Sequence, residues 1–269
     1  MLDLFELAAL EAGKVILSVY GENPKASYKA DSSPVTEADE RAEQIILDIL
    51  SKAYPNLPAI AEEAVARGHV PDIAGGPFIL IDPLDGTKEF IAQRREFTVN
   101  IALIEGGVPV AGIVYAPALS VAYRGDRRGA CRLKVGSDFH IEERSTISAR
   151  TAPPAAVALA SRSHRTAETD KFLETCGAAE ICSIGSSLKF CLLAEGKADI
   201  YPRFGRTMEW DTAAGDAVLR AAGGETLMLD GQPLTYGKTG QEHDSDFSNP
   251  HFIAWGERRH DSNSTRKTT

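Results

Sequence analysis

The sequence predicts a mixed α/β protein in which an N-terminal half of helices and antiparallel strands precedes a C-terminal half of alternating strands and helices. Three observations predict it. Apolar residues recur at helical spacing from Leu2 to Tyr20, and strand-forming runs crowd between Phe97 and Tyr123 with Gly106-Gly107 and Pro117 between them. Beyond Pro154, short apolar runs alternate with helix-periodic segments.

In the first helix, Leu4, Phe5, Leu7, Ala8, Ile16 and Val19 fall largely on one side, and Gly21 supplies a stop. A polar loop spans 29–34. Thr36 then caps a second helix that buries Ile45, Ile46, Ile49 and Leu50 and ends at Tyr54-Pro55. Pro58 to Ala61 is a short apolar strand. Phe78 to Ile81 is another, followed at once by Asp82-Pro83-Leu84-Asp85-Gly86-Thr87, whose Pro and Gly demand a turn at the strand's exit. Strands are expected at 97–104, 108–115 and 121–123. The Thr-Ala-Pro-Pro stretch within 150–154 marks a boundary between an N-terminal domain, 1–152, and a C-terminal domain, 153–256. In the latter, strands at 157–160, 179–184, 198–201 and 225–229 alternate with helices near 166–176, 187–195 and 211–222, and 250–255 adds a last strand. The tail 257–269 has no apolar period and is expected to be frayed.

A chain of 269 residues buries a substantial core, and 43% hydrophobic with 25% charged residues is ordinary for a globular protein. The 38 acidic against 29 basic residues give a net charge of −9, which repels a nucleic acid polymer. A small anion stays compatible, because bound divalent cations reverse the field locally. Cys131, Cys176, Cys182 and Cys191 show no zinc-site spacing and read as thiols. Neither a signal-peptide pattern nor a run of membrane-spanning length is present, so the expected compartment is the cytoplasm.

The chemistry concentrates in carboxylates. Asp82 and Asp85 flank a turn that brings both to one point and presents a backbone carbonyl such as that of Leu84, an arrangement suited to Mg²⁺. The same Asp-Pro-x-Asp-Gly pattern serves equally as an Asx-type turn with two exposed acids. In Glu62-Glu63, strand alternation delivers one acid to the site and turns its neighbour away; the plain alternative is a solvated strand edge. Thr36-x-x-Asp39 reads as a helix cap. Gly185-Ser186-Ser187 before a helix, with Lys189 one turn in, reads as an anion-facing helix start or as an ordinary cap with a solvated lysine.

Asp82-Pro83-Leu84-Asp85-Gly86-Thr87 together with Trp210-Asp211-Thr212-Ala213-Ala214-Gly215 resembles the paired signature of the inositol monophosphatase superfamily. The segments 33–39 and 183–191 resemble its 3'(2'),5'-bisphosphate nucleotidase branch, and the likeness runs from about residue 3 to 255. The resemblance implies a layered α-β-α-β-α fold and two or three Mg²⁺ ions held by Glu62, Asp82, Leu84 through its carbonyl, Asp85 and Asp211. It also implies that Thr87 and Asp39, with Glu62, activate the attacking water. Substrate contacts are implied for Glu62, Leu84, Asp85, Gly86, Thr87, Ser161, His164, Ser186, Lys189, Arg203 and Asp211. Taken alone, His164 reads as a surface histidine and Arg203 as a surface ion-pair partner.

The implied reaction is hydrolysis of adenosine 3',5'-bisphosphate to AMP and phosphate, with the 3'-phosphosulfate analogue as a further substrate, a role in sulfur metabolism, and sensitivity to lithium. Two alternatives stand beside it: an inositol-phosphate or other sugar-phosphate phosphatase with the same metal chemistry, and a nucleotide- or metal-binding module without turnover. Lys29 and Asp31, in the polar loop, form a candidate closure over the metals. The sequence leaves monomer and homodimer both open, and the resemblance implies at most peripheral contact with the cytoplasmic face of the inner membrane.

Overall fold

The computed structural model describes residues 1–22, 26–29, 34–163 and 165–257. His164, Asp31 and the tail beyond Glu257 lie outside them. The elements run α1 (Leu2–Tyr20), β1 (Ala26–Tyr28), β2 (Pro34–Thr36), α2 (Glu37–Ala53), β3 (Ala59–Ala61), α3 (Glu62–Ala66), β4 (Phe78–Asp85), α4 (Thr87–Ile91), β5 (Thr98–Glu105) and β6 (Val108–Ala116). After these come β7 (Val121–Asp126), β8 (Gly129–Val135), β9 (Ile141–Ile147), β10 (Val157–Ser161), α5 (Ala167–Thr175), β11 (Glu180–Ile184), α6 (Leu188–Ala194), β12 (Ile200–Arg203), α7 (Glu209–Ala221), β13 (Glu225–Met228) and β14 (Phe252–Trp255).

Five layers result, in agreement with the expected α-β-α-β-α arrangement. A seven-stranded sheet has the order β3-β4-β5-β6-β7-β8-β9 and is antiparallel except for the β3–β4 pair. Its strands alternate sides as pleating requires: Ile79 and Ile81 of β4 join the cluster formed with α1 and α2, around Phe5, Ile16 and Ile46. Phe78 and Leu80 point the other way, into the cluster built on α6 and α7 with Phe190, Trp210 and Val218. A second sheet, ordered β11-β10-β12-β14-β13, closes that central layer, with Leu159 and Tyr201 facing inward. Its outer face carries Ala158, Ala160 and Ile200 against Leu173 of α5.

The central helix α7 approaches the sheet at backbone distance. A Cβ built on Gly112 of β6 would lie 2.8 Å from the carbonyl oxygen of Ala214 and 2.8 Å from the Cβ of Ala217, so only glycine admits this packing. That seating fixes where Asp211, in the first turn of α7, emerges. No helix among the described residues is long and apolar enough to cross a membrane.

Several expectations are corrected. The Glu62-Glu63 pair opens α3 rather than ending a strand, so the two acids do not alternate between faces. β4 runs through the Asp82-Pro83-Leu84-Asp85 segment, with its register to β5 shifting between Asp82 and Asp85. β8 and β9 carry no clear strand signal in the sequence, because their charged residues mask the alternation of a half-exposed sheet margin; four of the seven β9 residues are exposed. Glu257 is not frayed: its N–H donates to Arg150 O, and its carboxylate accepts from Thr151 Oγ1. All four cysteines are free thiols.

Candidate active site

Asp82, Leu84, Asp85, Gly86, Thr87, Glu62 and Asp211 line one cavity of about 540 Å³, together with Ser161, Ser186, Lys189 and Arg203. Residues far apart in sequence therefore meet at the junction of the two sheets.

Asp39 serves two structures at once. Its Oδ2 accepts from Thr36 N at 2.8 Å and from Thr36 Oγ1 at 2.7 Å, completing the capping box of α2. Its Oδ1 lies 3.2 Å from Thr87 Oγ1, which is also 3.2 Å from the carbonyl oxygen of Leu84. Burial pushes the Asp39 carboxyl up to about 6, against the hydrogen bonds from Thr36. Thr87 reaches this position because Gly86 takes φ 94°, a left-handed turn that glycine adopts without penalty.

Each carboxylate of the cleft is held by a protein donor. Asp82 Oδ1 accepts from Leu84 N at 3.0 Å, Asp85 Oδ2 from Ser187 N at 2.6 Å, and Asp211 Oδ2 from Met208 N at 2.9 Å. Burial is the first cause raising all three carboxyls above the usual range, Asp211 to about 8. Mutual repulsion adds to it: Glu62, Asp85 and Asp211 push Asp82 up, and Asp85 and Glu62 push Asp211 up. Lys189 and Ser187 oppose the shift at Asp85.

Lys29 sits 2.6 Å from both Glu62 Oε1 and Glu63 Oε1, which burial and charge together make a tight cluster. Glu63 is thus neither solvated nor turned away from its neighbour. Lys29 comes from the loop expected to close over the cleft and lines it, paired with Glu62 and Glu63; Asp31 lies outside the described residues.

The donor set fits a hard divalent cation, being all carboxylate and carbonyl oxygen. Among the described residues, no three acidic, His or Cys side chains are already gathered around one point closely enough to hold a metal. Like charges in a low-dielectric cleft keep apart and turn to protein donors, and a cation that neutralised them would remove the reason for that separation.

The same cavity also carries two cations. Lys189 is only 4% exposed; burial lowers its ammonium to about 8, Asp85 resists the shift, and Nζ lies 5.1 Å over the Tyr201 ring while donating to Ser186 O. Arg203 is equally buried, donates through Nη2 to Arg206 O at 2.7 Å, and leaves Nε without a partner among the described residues. The solvated-lysine and surface-arginine readings are therefore overturned. Ser186 takes φ 50°, and its Oγ is likewise buried without a partner. The Ser187 N–H, expected to face an anion, is instead committed to Asp85. Glu89, Ser163, Arg206 and Asp246 also line the cavity and had no sequence signal, since only the folded chain brings them there.

The Inositol monophosphatase family model matches residues 2–254. The chain is 46% identical over 238 residues to the 3'(2'),5'-bisphosphate nucleotidase CysQ of Escherichia coli K12, covering 88% of this chain and 94% of that protein. The corresponding Buchnera aphidicola protein is 41% identical, over 88% and 87% of the two chains. Among solved structures, CysQ from Bacteroides thetaiotaomicron superposes with a TM-score of 0.74 at 40% identity, covering 94% and 95% of the two chains. An inositol monophosphatase of Thermotoga maritima, at 24% identity, shares the fold with the same TM-score over 94% and 91%. With its two signature segments, the end of β4 and the start of α7, meeting in one acidic cleft, this chain belongs to the inositol monophosphatase family.

Proposed function

We propose that the chain is a magnesium-dependent phosphomonoesterase that removes the 3'-phosphate of adenosine 3',5'-bisphosphate, and accepts the 3'-phosphosulfate analogue. One observation carries the reading: buried Asp82 and half-buried Asp85 and Asp211 line a single cavity together with the buried cations Lys189 and Arg203. The carboxylates are suited to metal, and the cations to a second anion that a monophosphate lacks. The similarity, at 41–46% identity, to proteins named 3'(2'),5'-bisphosphate nucleotidases supports a bisphosphate nucleotide as the substrate class.

Glu62, Asp82, Leu84 through its carbonyl, Asp85 and Asp211 are the residues that would hold Mg²⁺. When bound, the ion supplies positive charge beside the phosphate and acidifies nearby water. Thr87, hydrogen-bonded to Asp39, orients the attacking water, and Asp39 is ionised enough near neutral pH to accept through that pair. Water oxygen bonds to phosphorus, the bond from phosphorus to the 3' oxygen breaks, and a proton passes to the departing oxygen. Lys189, Arg203, Ser161 and Ser186 hold the phosphate that remains; His164 belongs to this set by resemblance alone.

The test is phosphate release from a panel of adenosine 3',5'-bisphosphate, AMP and inositol monophosphate, with Mg²⁺, with lithium, and after chelation. The bisphosphate should be hydrolysed fastest, lithium should inhibit, and chelation should abolish turnover. Faster release from inositol monophosphate would overturn the substrate; full activity after chelation would overturn the metal.

A further inference from the structure

Glu89 stands two positions beyond Thr87, on α4, and is 3% exposed although it lines the cavity. A carboxylate this deeply buried normally has an ion-pair partner, because losing its hydration is costly. Among the described residues Glu89 forms no ion pair within 4 Å. The Ser163 hydroxyl donates to its Oε1. Beyond that hydroxyl, Lys189 acts on Glu89 only at a distance and not as an ion pair, so a glutamine or leucine of similar volume would be cheaper to bury there.

The side chain is also held in place. A Cβ on Gly185 would come 3.0 Å from Glu89 Cγ and 2.8 Å from Glu96 O, so the 183–187 segment passes hard against it. Arg162 ties the same two segments together, pairing with Glu96 and donating to Ser183 O at 2.9 Å. Glu89 is therefore a fixed acceptor between the turn at Asp85-Gly86-Thr87 and the wall formed by Ser161, Ser186 and Lys189.

An acceptor-only group repels phosphate and attracts a neutral donor. Between a reacting phosphate and a second, retained one lies the sugar, whose free donor is a hydroxyl. We propose that Glu89, with its rotamer set by Ser163, is a specificity-determining residue that accepts a hydrogen bond from the free 2'-hydroxyl of the sugar, on the carbon next to the one that bears the reacting phosphate. The proposal rests on the bisphosphate nucleotide reading above, which has no role for Glu89.

The experiment compares kcat/KM on adenosine 3',5'-bisphosphate and its 2'-deoxy analogue for the wild type, Glu89→Gln, Glu89→Leu and Ser163→Ala, with thermal melts to verify folding. Because a hydrogen bond to a charged group discriminates by about 10- to 100-fold, the wild type should prefer the ribonucleotide in that range. Glu89→Leu should abolish the preference, and Glu89→Gln and Ser163→Ala should reduce it. An unchanged ratio in a folded Glu89→Leu enzyme, or a wild type that treats both nucleotides alike, overturns the proposal. If the wild type rejects both nucleotides and hydrolyses inositol monophosphate, the substrate reading is what fails. The same variants are then compared on inositol monophosphate and cyclohexyl phosphate: a preference for the hydroxylated ester that Glu89→Leu removes supports the acceptor role, and a ratio it leaves unchanged overturns it.

Discussion

Thr87 and Asp39 meet at 3.2 Å, Oγ1 to Oδ1, while the other oxygen of the same carboxylate closes the cap of α2 on Thr36. A helix start and a strand exit are thereby locked to each other through one buried acid. The structural role and the proposed chemical one share a residue, and substitutions can separate them.

Asp39→Asn keeps one oxygen and the size of the side chain, so the α2 cap should survive and the protein should stay folded. Turnover should fall by about 10²- to 10⁴-fold, the usual contribution of a positioned proton acceptor. Thr36→Ala should show the converse, losing about 1 kcal/mol of stability with a much smaller loss of rate. Paired measurements of kcat and thermal unfolding check both; full kcat in Asp39→Asn would remove Asp39 from the reaction.

Without cations, the cleft acids repel one another and oppose folding. Asp82→Asn should therefore raise the melting temperature of chelated protein while removing activity. Mg²⁺ should stabilise the wild type by about 2.7 kcal/mol at a hundred times its Kd, and should stabilise Asp82→Asn far less. Melting curves with and without Mg²⁺ decide this, and a chelated Asp82→Asn protein less stable than chelated wild type would contradict it.

The pH dependence has a defined sign. Asp39, at about 6, and Asp211, at about 8, are raised above the ordinary carboxylate value of 3.8, so the native state binds more protons than the unfolded one between those limits. Stability of the chelated protein should fall as pH rises from about 4 to about 8. At limiting Mg²⁺ the activity should rise over the upper part of that window, because protons compete with the cation for the same oxygens. Denaturation of chelated protein at several pH values tests the slope; stability rising over this window would contradict the shifts.

Lys189→Met keeps the buried stem and removes the charge; Arg203→Ala removes the other cation. Each should raise KM for the bisphosphate nucleotide by about 10- to 100-fold, as expected for a lost charged hydrogen bond, and leave monophosphate hydrolysis within a few-fold. Equal losses on both substrates would show that no second anion is read here.

Gly112→Val should force α7 away from β6, where a Cβ already has no room at 2.8 Å. A cost of about 1–3 kcal/mol is typical of overpacking, and Mg²⁺ affinity should weaken as Asp211 moves with its helix. Titration of the melting temperature with Mg²⁺ separates the two effects; unchanged metal affinity would argue against Asp211 as a ligand.

Local order was legible because it depends on neighbours in the chain. The apolar period of 2–20 places α1, the Thr36-x-x-Asp39 spacing places the cap, and Gly86 places the left-handed step between β4, which carries Asp82 and Asp85, and Thr87. The paired signatures around Asp82 and Asp211 marked the acids of the cleft without showing how they meet. That meeting depends on α7 settling onto Gly112, which is packing between residues a hundred positions apart. The burial of Lys189, Arg203 and Glu89, the commitment of Ser187 N to Asp85, and the joint hold of Lys29 on Glu62 and Glu63 were decided in the same way. Side-chain charge is written in the sequence, but its desolvation and its partners exist only once distant segments exclude water together.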